Sequence, residues 1–157
     1  MTRRYRGPYP DPGFAQQCNQ VVEPHIGAVF SGEFTTDRRG YPLGASKFAG
    51  RVSDVWLSVG ASGKDDGDDL SVELDVKING TTCLTTKPVI AHVSGEASSQ
   101  KTTKESGDTG VTQAVVSASA DDYAPGDLLT ADVVITRSSP TTEIANVAVV
   151  VELDPYN

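Results

Sequence analysis

From about Gly27 to Leu153, apolar residues recur at every second position in one short run after another, with turn residues between the runs. Side chains alternate between the two faces of a strand, so a chain written this way is committed to half-buried sheets. The clearest run sets Leu70, Val72, Leu74, Val76 and Ile78 against Ser71, Glu73, Asp75 and Lys77. It ends at Asn79-Gly80, a pair that tolerates positive φ at both central positions of a two-residue hairpin. Such a turn predicts that Ile78 pairs with Thr81, Val76 with Cys83 and Leu74 with Thr85, leaving Cys83 on the buried face.

Around this hairpin the other elements fall into place. A strand is expected over 25–34, a polar loop with Gly40, Pro42 and Gly44 over 35–46, and a strand over 51–59. In the last of these Val55, Leu57 and Val59 share a face and Trp56 points the other way, to be covered by a loop or a neighbouring subunit or to serve as a ligand platform. Pro88 ends the hairpin ladder and residues 89–93 resume an extended run. Residues 94–110, rich in Ser, Thr, Lys and Gly, read as a long exposed loop. Ala114, Val116 and Ala118 then share a face before a turn at 121–126. Two strong strands follow, one lined by Leu129, Ala131, Val133 and Ile135, the other by Ala145, Val147, Val149, Val151 and Leu153, joined through 138–142.

Seven or eight strands without helical periodicity define an all-β fold, an antiparallel β-sandwich over residues 26–157. A jelly roll is preferred to an immunoglobulin-like order, because Cys18 lies far ahead of Trp56 and Cys83 sits on a hairpin. Residues 1–25 are different. Pro8, Pro10, Pro12 and Pro24, with Gly7 and Gly13, bar helices and central strands and leave an extended N-terminal arm. Tyr5, Tyr9 and Phe14 are apolar handles along it, and Arg3, Arg4 and Arg6 make its start basic. The arm is expected to be loose in isolation and ordered on docking.

A chain of 157 residues is one domain with enough core to need no staples. Cys18 and Cys83 match no zinc or redox spacing and are expected to stay reduced. No apolar segment follows the early arginines and none approaches the ~18 residues of a bilayer span, so a soluble product without a membrane or an export signal is expected. Net charge is −8. Residues 1–50 carry six basic and four acidic side chains, so the chain from Arg51 onward holds −10. That acidic body excludes a nucleic-acid surface, which requires clustered Lys and Arg.

Catalytic patterns are missing from the sequence: His25 and His92 stand in no nucleophile or metal motif, and neither a Gly-x-Ser-x-Gly elbow nor a phosphate loop occurs. The expectation is a protein that is not an enzyme and has no cofactor. The acidic run Lys64-Asp65-Asp66-Gly67-Asp68-Asp69 reads as a solvated turn, with calcium binding by Asp65, Asp66, Asp68 and Asp69 as the alternative, since calcium takes several carboxylate oxygens on a bent backbone.

The stretch 55–60 with the acidic loop, the run from Leu70 to Thr82, Thr85-Thr86-Lys87-Pro88, and the ending from Arg137 to Asn146 with its valine run resemble a family of small tailed-bacteriophage structural proteins. The resemblance covers roughly residues 50–153 and leaves the arm outside. It implies a virion component on the outer capsid surface, a decoration or cement protein with a jelly-roll body. Its partner is then the major capsid protein, with Tyr5, Tyr9 and Phe14 as anchors and Arg3, Arg4 and Arg6 pairing to shell carboxylates. A homo-oligomer is expected, a trimer ahead of a dimer. The rival expectation is a receptor- or glycan-binding module of a head or tail fibre, with Trp56 and loop 94–110 at its tip.

Overall fold

The computed structural model describes residues 24–67 and 69–156. Thirteen strands and no helix make up this part of the chain. The elements run β1 (His25–Glu33), β2 (Arg38–Ala45), β3 (Gly50–Ala61), β4 (Ser71–Ile78), β5 (Thr81–Thr82), β6 (Leu84–Thr86), β7 (Val89–Ala91), β8 (Lys101–Thr102), β9 (Val111–Thr112), β10 (Val115–Val116), β11 (Asp122–Tyr123), β12 (Leu128–Thr136) and β13 (Ala145–Pro155). One sheet, here sheet A, has the order β1-β13-β3-β11, with β8 beside the far half of β3. Sheet B has the order β2-β12-β4-β7-β9, with β5 beside the end of β4. Every pairing is antiparallel. The all-β antiparallel sandwich expected from the alternation is the fold observed.

The core lies between the two sheets. Val55, Leu57 and Val59 of β3 and Val147, Val149 and Val151 of β13 are buried from one side. Val72, Leu74, Val76 and Ile78 of β4 and Leu129, Ala131 and Val133 of β12 are buried from the other. These are the alternating positions of the sequence, and nonlocal burial of about 2 kcal/mol per large aliphatic side chain drives the sheets together. Gly50 marks a close approach: a side chain there would collide with the Tyr123 hydroxyl and meet the Asp154 carbonyl oxygen at 2.6 Å.

The Asn79-Gly80 turn has φ of 50° and 84°, the left-handed pair the sequence demanded. Ile78 faces Thr81, and Cys83 donates its N–H to the Val76 carbonyl at 2.9 Å. The expected Leu74–Thr85 pair is not made. Cys83 and Leu84 are both buried, and two successive inward side chains cannot continue one pleated strand. The chain therefore leaves sheet B at Cys83, β6 pairs with β10 instead, and β7 returns to β4 through Glu73 and Val89.

Three further expectations are corrected. Residues 38–45, read as loop, form edge strand β2 on β12, with irregular register that accommodates Gly40 and Pro42. Edge strands tolerate proline because one row of their N–H groups has no ladder to serve. Within 94–110, Lys101 and Thr103 are buried and β8 pairs with β3, so the segment is pinned to the body. Ala114 and Val116 pack on the core, but Ala118 is exposed.

Candidate partner-binding surface

The expected anchors Arg3, Arg4, Tyr5, Arg6, Tyr9 and Phe14 lie outside the described residues. The structure does fix where their chain joins the body. Pro24 accepts a hydrogen bond from the Leu153 N–H at 2.9 Å, and β1 then runs along β13 in unbroken register from His25 opposite Glu152 to Phe30 opposite Val147. The leader thus enters at one end of β1, the outermost strand of sheet A.

The outer face of sheet A at that place is apolar and shallow. Val29 is 70% exposed, and with Gly27, Ala28, Ala148 and Val150 it borders an open groove of about 440 Å³. Next to Val150, on β3, stands Trp56. Its ring carries the Lys104 ammonium 4.2 Å from the centroid and meets His25 edge-on at 5.9 Å. Lys104 also binds Asp54 at 2.6 Å and Glu152 at 3.4 Å, and the bond to Asp54, against the pull of burial, holds the ammonium above its ordinary range. Trp56 and the 94–110 segment come together as the sequence reading of a loop cover supposed. The ring face that a sugar would stack on is occupied by a lysine of the same chain.

The acidic loop is clasped by donors of its own chain. Asp66 Oδ1 accepts from the Gly95 N–H at 2.8 Å and lies 3.1 Å from His92 Nε2, while Oδ2 pairs with Lys64 at 3.3 Å. The Gly95 N–H first, then His92 and Lys64, hold this carboxyl down at about 2. Both oxygens are therefore engaged by protein donors. Asp65 is buried, Asp69 lines the same shallow depression as Asp66 and His92, and Asp68 lies outside the described residues. Among the described residues no group of three or more His, Cys, Asp or Glu side chains is placed to hold a metal ion. The sequence reading did not find the His92–Asp66–Gly95 clasp, because its partners are separated by up to 29 residues.

A second clasp was also hidden. Lys101, buried to 3% side-chain exposure, binds Glu96 at 2.7 Å and the Thr109 carbonyl at 2.7 Å, and the Thr109 hydroxyl donates to Glu96 as well. Glu96 is held below the usual carboxylate range, chiefly by Lys101 and then by Thr109. A buried lysine is retained only when its charge is paired in this way. The segment that presents Lys104 to Trp56 is thereby fixed at its base.

Comparison with protein-family models, curated proteins and solved structures found no match for this chain. Among the described residues, no helix is long and apolar enough to cross a membrane.

Proposed function

We propose that this protein is a structural component of a phage virion that binds the outside of the assembled capsid and cements neighbouring major capsid protein subunits. The observation that carries the reading is the junction at Pro24. A leader bearing Arg3, Arg4, Arg6, Tyr5, Tyr9 and Phe14 joins a closely packed body at the rim of a shallow apolar sheet face. The body supplies bulk and the leader supplies reach, up to ~80 Å for some 25 extended residues. A ligand of the assembled shell that does not bind its dissociated parts stabilises the shell by mass action, and several linked copies bind multivalently.

The strand order supports a jelly roll. First and last strands are neighbours in sheet A, and the long strands β1 to β4 alternate between the sheets, as do β12 and β13. The resemblance of residues 50–153 to small phage structural proteins points the same way.

The test is cosedimentation with purified shells. Deleting residues 1–20, or reversing Arg3, Arg4 and Arg6 to Glu, is expected to leave a folded body that no longer pellets with the shell. Full decoration by the truncated protein would remove the leader from the account.

A further inference from the structure

Asn79-Gly80 is the single Asn-Gly step of the chain, and both residues are exposed. That dipeptide carries a chemistry of its own. Once a base takes its proton, the Gly80 backbone nitrogen can add to Asn79 Cγ, because glycine has no side chain to shield the approach. The bond from Cγ to Nδ2 then breaks, ammonia leaves with a proton returned from solvent, and a cyclic imide remains. Water opens the imide at either carbonyl to give aspartate or isoaspartate. The net change is asparagine plus water to acid plus ammonia, a route by which asparagine is thermolabile.

The fold opposes ring closure. Asn79 and Gly80 both hold positive φ, the left-handed pair of a two-residue hairpin turn. In that conformation the Gly80 nitrogen and Asn79 Cβ lie on opposite sides of the bond between Asn79 Cα and its carbonyl carbon, so Cγ reaches the nitrogen only when the turn opens. The side-chain amide is held as well. Its Nδ2 donates to Asp127 Oδ1 at 2.7 Å, its Oδ1 accepts from the Leu128 N–H at 3.0 Å, and the Asn79 N–H donates to the Leu128 carbonyl at 2.9 Å. Asp127 is anchored in turn. Its Oδ2 accepts from the Ala124 N–H at 2.7 Å, and that bond first, then Asn79, holds the carboxyl below its usual range. An ionised acceptor strengthens the hydrogen bond to the nitrogen that has to leave.

We infer that Asn79 is a covalent modification site, converted to aspartate or isoaspartate when the β4–β5 turn opens, and that Asp127 sets the rate by keeping the turn closed. Local opening of a few residues, well short of unfolding, is enough to gate such a reaction. The product does not restore the contact. Aspartate at this position sets a carboxylate against Asp127 where Nδ2 had donated, and like charges at that distance oppose each other. Isoaspartate adds a methylene to the backbone of a turn whose length fixes the pairing of Ile78 with Thr81. Each event therefore loosens the hairpin from the start of β12. The inference does not depend on capsid binding.

The experiment incubates the full chain in mildly alkaline buffer, native and in denaturant. Replacement of NH2 by OH at residue 79 is followed by peptide mass, and hydrogen exchange of the Leu128 amide is measured in parallel. Conversion in the native protein is expected to be slower than in denaturant by about tenfold or more. Asp127→Ala removes the acceptor of the leaving nitrogen and is expected to speed native conversion by about tenfold or more, with the rate in denaturant unchanged. Gly80→Ala shields the attacking nitrogen and is expected to slow conversion in denaturant. If Asp127→Ala fails to fold, wild-type protein in denaturant below its unfolding transition decides, where conversion rises in step with Leu128 exchange. Native conversion as fast as in denaturant, a native rate untouched by Asp127→Ala, conversion independent of Leu128 exchange, or no slowing by Gly80→Ala would each overturn the inference.

Discussion

Cys83 shows what burial does to one side chain. Desolvation inside the sandwich, with Asp75 nearby, pushes its thiol up to about 12. Thiolate is the reactive form, so Cys83 stays inert while the fold is intact. In a Cys18→Ser protein, labelling by a thiol reagent at pH 8 is expected to be slow and to accelerate only in denaturant. Fast labelling of native protein would contradict the burial. Asp132 poses the opposite problem: burial raises its carboxyl, but Lys77 at 2.6 Å and the Gly40 N–H outweigh that and leave it lowered. Lys77→Met is expected to cost about 1–3 kcal/mol in denaturant unfolding, because a buried carboxylate loses its charged partner. Asp66 gives the pH sign. Its folded value of about 2 lies below the unfolded one, so its contribution is present above about pH 4 and is lost as pH falls toward 2. Asp66→Asn should flatten that part of the acid-unfolding profile; an unchanged profile would show the clasp to be idle.

At the scale of elements, Gly80 offers the cleanest trial. Its φ is +84° and a side chain there meets nothing within 4 Å, so Gly80→Ala reports conformational cost alone. About 1 kcal/mol of lost stability is expected from thermal unfolding, with the hairpin retained. β1, β3, β4, β12 and β13 were legible in the sequence, and the last four are buried on one full face, where alternation leaves its mark. Those that were missed obey other rules. β2 is an edge, where only Leu43 packs inward and Pro42 is tolerated. β6 departs because Cys83 and Leu84 both turn inward. β8 is anchored by a lysine, the residue type least expected inside. Turn chemistry at Asn79-Gly80 was readable because it is local; the Lys101 and Asp66 clasps were not, since each depends on partners that the fold brings together.

The described residues form a sandwich in which β1, the outermost strand of sheet A, borders a shallow apolar face, and the basic, aromatic N-terminal segment joins the body at the start of that strand. A net charge of −8 opposes close approach of like copies, and the arginines at the start of the chain are suited to acidic protein surfaces. The sequence foretold the sandwich, but not that the chain enters it on the outermost strand of sheet A, because strand order arises from long-range pairing. The central claim is attachment to an assembled shell, and its most direct test is thermal dissociation of purified, undecorated shells titrated with this protein. A dissociation temperature that climbs with protein concentration and saturates as the shell's sites fill is the predicted result. No shift at saturating protein, or equal binding to shells and to dissociated subunits, would contradict it.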